Sequence, residues 1–288
     1  MFADEKIVVS SNCTTGGIAA TLRAIFPMAN VVPFPLPADD NVVVTGLLLS
    51  ELKDASIWVS IGRFDLANGL NLNLVKLPAI SFGAFHPDLC YARKKLTNEF
   101  TKYHYNSRIA IWAFNNQIDT FDAVKLYNEE NFKLAGYFDA WEPAVIHLKD
   151  LFKANNLSEK VFDRFFNKMK RTGVFMHSVN HPLSQTIVEL VKTVLFSLGF
   201  DSSMIKREIV IPDGLMDNIW PVYPEIGMEL GLEGNYVWRI GNIEIDGVRN
   251  YLDFTYQNYT QQGIFPMDLI PVTKNLALEM ALAKQIKK

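Results

Sequence analysis

Three short segments hold the side chains able to do covalent or proton-transfer chemistry. The first is Ser11-Asn12-Cys13-Thr14-Thr15-Gly16-Gly17, which follows an apolar β-branched run and precedes a helical pattern. A thiol where a strand meets a helix feels the positive helix end, which favours thiolate. Free N–H groups at such a join stabilise an oxyanion or hold phosphate, and Asn12 and Thr14 bring side chains to the same oxyanion or substrate. Gly16 and Gly17 admit a cofactor phosphate or serve turn geometry alone. The spacing is neither a P-loop nor G-x-G-x-x-G.

The second segment is Phe85-His86-Pro87-Asp88. His86 beside a proline is a candidate base that Asp88 would orient, or the turn is polar and Asp88 caps a helix. The third is His177-Ser178-Val179-Asn180-His181-Pro182. Neutral imidazoles at a helix N-terminus have lowered pKa values, which suits His177 or His181 as a general base, with Asn180 beside them for the substrate. Cys13, His86, His177 and His181 show no C-x-x-C or H-E-x-x-H spacing, so no metal is expected. His104 and His147 read as surface or packing residues.

Basic residues flank these segments. Arg93-Lys94-Lys95 follows the His-Pro-Asp turn, Lys170-Arg171 precedes Gly173, and Arg108 stands in Asn106-Ser107-Arg108. Each is either a solvated face or a contact for the phosphates of a cofactor.

The elements that must position these groups follow from periodicity. Lys6–Ser10, Asn30–Phe34, Ser56–Ile61 and Leu77–Phe82 read as strands, and Pro33 sends the second to an edge. Ile18–Phe26 reads as a helix, and Asp39 or Asp40 caps another running to about Ala55. Strands alternating with helices imply a parallel sheet with its sites beyond the strands' carboxyl ends, placing Cys13 and His86 on one edge. From Pro87 to about Lys170 the pattern is helical, over 107–114, 120–128, 141–154 and 158–169, with Asp119 and Ser158 as caps. Gly173–Val179 reads as a strand, and Pro182 opens a helix whose apolar stripe reaches Leu198. The segment 212–224 is irregular and aromatic, 237–245 is a strand or hairpin, and 275–287 is an amphipathic helix. The expectation is an α/β fold with an N-terminal parallel, Rossmann-like sheet and a large helical insertion or second lobe. We expect a single compact domain over 1–288, with a βαβ part at about 1–86, a helical part at about 87–172 and a return to the sheet at about 173–288.

Composition narrows the function classes. The 288 residues are 49% hydrophobic and 20% charged, which excludes wholesale disorder. A net charge of −3 argues against a protein that grips nucleic acid by phosphate neutralisation. Two cysteines cannot build a disulfide framework and suit a reducing compartment. No secretory pattern opens the chain and no apolar run spans a bilayer, so cytoplasmic location without membrane insertion is expected.

Taken together, the segments resemble the WcbI-type polysaccharide biosynthesis family of acetyltransferases. The matching pieces are Asn12-Cys13 after the early strand, Phe85–Leu89, Tyr105–Arg108, Leu134–Phe138, Phe175–Pro182 and Trp220–Pro224, in that order over about residues 6 to 235. The family turn often reads Asn-Cys-Gln, and here Thr14 follows Cys13. The resemblance implies binding of coenzyme A and acyl transfer from acetyl-CoA to a sugar of a surface or capsular polysaccharide, in the cytoplasm. The partners would then be an acyl donor and a sugar acceptor, with homo-oligomerisation left open. Cys13 would act with His86, His177 or His181, and the basic residues would hold the cofactor phosphates. Two other readings remain: an SGNH-like esterase, and a non-catalytic module that binds coenzyme A or a nucleotide.

Overall fold

The computed structural model describes residues 5–37, 42–200 and 202–286. In chain order it contains β1 (Lys6–Ser11), α1 (Thr15–Ile25), β2 (Asn30–Pro35), α2 (Val42–Leu52), β3 (Ile57–Ser60) and β4 (Asn73–Lys76). Then come β5 (Leu89–Lys94), β6 (Phe100–Ser107), α3 (Arg108–Asn115), α4 (Thr120–Ala123), α5 (Glu129–Leu134), α6 (Trp141–Ala154), α7 (Glu159–Met169) and α8 (Ser184–Ser197). The chain closes with α9 (Ser202–Ile205), β7 (Asn218–Ile219), α10 (Pro224–Leu230), β8 (Val237–Ile240), β9 (Ile243–Asp246), α11 (Val248–Gln261), β10 (Leu269–Pro271) and α12 (Leu276–Ile286). Two units divide it: Met1–Ser81 with Ile146–Met216, and Phe82–Val145 with Asp217–Lys288.

The first unit holds the parallel α/β sheet, in the order β2-β1-β3-β4. β1 and β3 are buried almost throughout, with apolar middles at Ile7–Val9 and Ile57–Val59, because they are central and covered, whereas β2, with Pro33 and Pro35, pairs on one side only. Leu48 and Leu52 of α2 pack with Val8 and Trp58 in one apolar cluster. A buried polar chain ties the carboxyl ends of the central strands. The Trp58 indole donates to Ser10 Oγ at 2.7 Å, Ser10 and Ser60 hydroxyls meet at 2.9 Å, and Ser60 Oγ donates to the Gly62 carbonyl at 2.6 Å. These bonds satisfy groups that would otherwise cost folding free energy, and they fix the strand ends from which the first segment springs.

Two sequence readings of this unit shift. The strand expected at Leu77–Phe82 lies earlier, at Asn73–Lys76. Leu77 N still donates to the Ser60 carbonyl at 2.8 Å, but Pro78 has no N–H to continue the ladder. His86 therefore does not directly follow a strand of this sheet. The strand expected at Gly173–Val179 reduces to one antiparallel bridge, Met176 to Pro182, because the chain turns back on itself at His177–His181. The expected caps Asp39 and Asp40 lie outside the described residues.

The second unit carries two antiparallel sheets, β10-β5-β6 and β7-β8-β9. The hairpin β5–β6 stands where the sequence suggested helix throughout. Its strands are joined by a turn at Asn98, whose φ of 58° is left-handed, and its register shifts between Tyr91 and Arg93. Cys90, Ala92, Ile111, Phe114, Tyr259, Ile264 and Leu269 form one buried cluster. Trp238 stacks on Tyr251 with centroids 4.2 Å apart. No helix among the described residues is long and apolar enough to cross a membrane.

Candidate active site

In the first unit, β1 runs straight into the Cys13 turn. Asn12 Oδ1 accepts from Thr14 N at 3.1 Å and Thr14 Oγ1 at 3.0 Å, so its carboxamide oxygen is spent on the turn and Nδ2 is the group left for a ligand. Thr15 N and Oγ1 both bond the Asn12 carbonyl, at 3.1 and 2.7 Å. These bonds start α1 at Thr15, so Gly16 and Gly17 lie inside the helix and form no phosphate-cradling loop. A Cβ on Gly17 would come within 2.8 Å of Ile187 Cδ1, which makes this glycine a packing residue of α1 against α8. Gly16 has open space around it.

Cys13 is exposed, yet the protein around it pushes its thiol above the ordinary value; the Cys13 and Thr14 N–H groups pull it down without winning. The thiolate expected from the helix end is thus opposed by desolvation, and a base must take the proton.

The third segment is a tight turn of the same unit. His177 N donates to the His181 carbonyl at 2.7 Å, and Leu183 N and Thr186 Oγ1 both bond the Phe175 carbonyl, at 3.1 and 2.7 Å. His177 is buried, and its Nε2 lies 2.9 Å from Asp213 Oδ2. The same oxygen accepts from Ser184 N at 3.1 Å, and Oδ1 accepts from Leu215 N at 3.2 Å. Desolvation works to raise the Asp213 carboxyl, but the bonds from His177, Ser184 N–H and Leu215 N–H outweigh it and hold the group below the usual carboxylate range. Burial, with the neighbouring His177 adding to it, lowers His181 and favours its neutral form. The hydroxyl of Ser178 is fully buried and has no hydrogen-bond partner among the described residues.

Asn12, Thr14, Asn180 and Pro182 line one small cavity with Ile18, Pro78 and Ile187. The residues on either side of Cys13 thereby meet those on either side of His181. A nucleophile-bearing turn and an aspartate-oriented histidine are the parts needed for acyl transfer. Asp213 escaped the sequence reading: it lies 36 residues from His177 in an irregular segment, with no spacing to mark it.

Of the remaining candidates, His86, Asp88, Arg93, Lys94 and Arg108 belong to the second unit, and Lys170 and Arg171 to the first. His86 is buried in the second unit, its ring edge-on to Phe85 with centroids 6.1 Å apart. Asp88 is fully buried, and its carboxylate accepts from Tyr137 and Tyr223 hydroxyls, each at 2.8 Å, and from Ile109 N at 3.2 Å. Asp88 therefore caps the first turn of α3 and ties two tyrosines to it. Desolvation raises its carboxyl, against the opposing pull of Ser107, Tyr223, Tyr137 and the Ile109 N–H. Arg93 lies over the Phe100 ring at 4.0 Å and donates to the Asn98 carbonyl at 2.9 Å, holding the hairpin turn. Lys94 is 3.8 Å from Glu99. Arg108 donates to the carbonyl and hydroxyl of Thr273. Lys170 ends α7 above the Phe166 ring at 5.9 Å, and Arg171 is exposed. Among the described residues no group of three His, Cys, Asp or Glu side chains is placed to hold a metal ion.

A parallel sheet whose first strand delivers a cysteine to the start of a helix, in a unit that also holds an Asp–His pair, is an α/β arrangement of the enzyme type. The chain belongs to the WcbI family of polysaccharide biosynthesis enzymes, whose family model matches residues 6–203. Asp213 lies beyond that match. A solved structure of WcbI, described as a novel polysaccharide biosynthesis enzyme, has the same fold, with a TM-score of 0.68 at 13% identity over 99% of this chain and 96% of that one. That structure is described as native protein without a disulfide bond between coenzyme A and a cysteine. No curated protein matches the chain.

Proposed function

We propose that this protein is a coenzyme A-dependent acyltransferase that acetylates a sugar hydroxyl of a surface or capsular polysaccharide precursor. The observation that carries the reading is the cavity shared by the Cys13 turn and the Asn180–Pro182 turn, with His177 held by Asp213 in the same unit. Membership of the family and the coenzyme A–cysteine relation described for the solved WcbI structure support it.

The residues assign the steps. His177 takes the Cys13 proton, and Asp213 stabilises the imidazolium that forms. The Cys13 sulfur attacks the thioester carbonyl, the carbon–sulfur bond to coenzyme A breaks, and the leaving thiolate takes the proton back from His177. The acetyl group now sits on Cys13 in a nearly isoenergetic exchange. His177 then deprotonates the sugar hydroxyl, whose oxygen attacks the acetyl carbon and releases Cys13. Asn12 Nδ2, whose partner oxygen is used by the turn, is the side-chain donor without a partner among the described residues, and it serves the tetrahedral oxyanion. The phosphates of the donor require cations, and Lys170 and Arg171 are those of the first unit that the sequence singled out.

The test is calorimetric titration of the purified chain with coenzyme A and acetyl-CoA, followed by intact-mass analysis after mixing with acetyl-CoA. Micromolar binding and one acetyl group on the wild-type chain, with binding kept and the adduct lost in Cys13→Ala, is the expected result. Folded protein that binds neither ligand refutes the reading. Turnover of small esters without coenzyme A would instead favour an esterase, which the same Asp213–His177 pair would serve.

A further inference from the structure

The second unit contains a cavity of about 390 Å³ that none of the chemistry above uses. Its size falls in the range of small-molecule sites. Lys95, Arg108 and Lys274 line it against a single carboxylate, Glu279. The chain as a whole is acidic, at −3, so this local excess of positive charge runs against the average. Neither Lys95 nor Lys274 is ion-paired among the described residues, and both are exposed. Arg108 is positioned rather than neutralised, because Thr273 accepts from its guanidinium through the carbonyl and the hydroxyl.

The wall also holds Trp112, half-buried on α3. Beside it Met267 adopts a φ of 73°, a left-handed backbone that a methionine rarely takes, pinned by its N–H to Asn115 Oδ1 at 3.0 Å. Strain of this kind is kept where the surroundings over-determine it, and such positions cluster at ligand sites. Three cations suit a diphosphate, since charge-assisted bonds to phosphate oxygens are the strong ones. An indole face in the same wall suits a heteroaromatic base.

We propose that this cavity binds a nucleoside diphosphate, with Trp112 against the base and Lys95, Arg108 and Lys274 on the phosphates. The inference does not rest on acyl transfer at Cys13. Two sources share the chemistry: a nucleoside-diphosphate sugar, which would make this the acceptor site, and the ADP portion of coenzyme A.

The experiment titrates the full chain with ADP, UDP, inorganic pyrophosphate and coenzyme A by calorimetry. It compares wild type with Lys95→Ala/Lys274→Ala and with a control, Lys53→Ala/Lys206→Ala, which removes two exposed charges elsewhere. Wild type should bind ADP or UDP more tightly than pyrophosphate. The double variant should bind the nucleotide about 10- to 100-fold more weakly, and the control should match wild type. Added salt should weaken wild-type binding. If coenzyme A loses affinity in parallel, the site serves the ADP portion of the donor. If UDP loses affinity and coenzyme A does not, the site serves a sugar nucleotide. Wild type that binds neither nucleotide, a double variant that binds like wild type, or pyrophosphate binding as tightly as both nucleotides overturns the proposal. Nucleotide binding without any coenzyme A binding would sustain this inference while refuting the acyltransferase reading.

Discussion

Replacing Asp88 with alanine should be among the most damaging single changes in the second unit. The carboxylate is fully buried, and among its donors are the hydroxyls of Tyr137 and Tyr223 and the N–H of Ile109. Each donor left buried without an acceptor costs about 1–3 kcal/mol, so the gross loss is about 3–9 kcal/mol. Two effects offset it. The variant no longer buries a carboxylate, and a water can enter the space vacated by the side chain. The net cost should be about 2–5 kcal/mol, against about 5–15 kcal/mol for a typical domain. Asp88→Asn keeps the shape and one acceptor oxygen, so it should cost less. The assay is urea unfolding followed by tryptophan fluorescence and circular dichroism. Asp88→Ala unfolding within about 0.5 kcal/mol of wild type would refute the argument that this carboxylate organises its surroundings. The pH dependence has a definite sign. The folded-state value of Asp88 is raised, so its stabilisation is fully present below the ordinary carboxyl range and is lost as pH rises through the raised value. The advantage of wild type over Asp88→Asn should therefore shrink on going from acid to neutral pH.

Further outcomes concern Asp213, the two thiols and Gly234. Asp213→Asn removes the charge that stabilises a protonated His177 and should slow acetylation about 10- to 100-fold in kcat, with coenzyme A affinity little changed; calorimetry and steady-state assay check both. Because Asp213 is held below its ordinary value, its contribution to stability is present above that value and lost as pH falls through the lowered one, a loss that thermal melts of the asparagine variant should not show. Alkylation of native protein should label one thiol, since Cys13 is exposed and Cys90 is buried and pushed up to about 12. The Cys13 rate should keep rising into the alkaline range, and a plateau below neutrality would contradict the raised thiol. Gly234→Ala should cost about 1–3 kcal/mol by urea unfolding, because a Cβ there would lie 2.6 Å from Pro224 Cα and 2.7 Å from the Tyr223 carbonyl, rigid backbone next to the tyrosine that holds Asp88.

The parallel half of the fold was legible because its signals are local. Ile7–Val9 and Ile57–Val59 are short apolar runs, Pro33 marks an edge, and the stripe of α8 repeats with helical period. The antiparallel half was not. In Phe100–Ser107 the buried positions do not alternate cleanly, and a register shift at Tyr91–Arg93 breaks the partner strand. Tyr251, Thr255 and Tyr259 lie four apart on the buried side of α11, but polar rims on tyrosine and threonine hid the stripe from a count of apolar residues. At the candidate site, Cys13 and His177 were visible because each sits where a chain segment changes type. Asp88 was visible as a polar group in a turn, and its role as a distant cap for α3 depends on folding. The link between Asp213 and His177 exists only in three dimensions.

Asp213 Oδ2 accepts from His177 Nε2 and from the first amide of α8 at once. One oxygen thus joins the proton inventory of the site to the fraying of a helix. A ligand that pulls that oxygen toward the imidazole loosens its grip on the Ser184 amide. Hydrogen exchange at Ser184 then reports on a histidine seven residues earlier through the carboxylate the two share. Its rate can be read in the folded protein without substrate turnover.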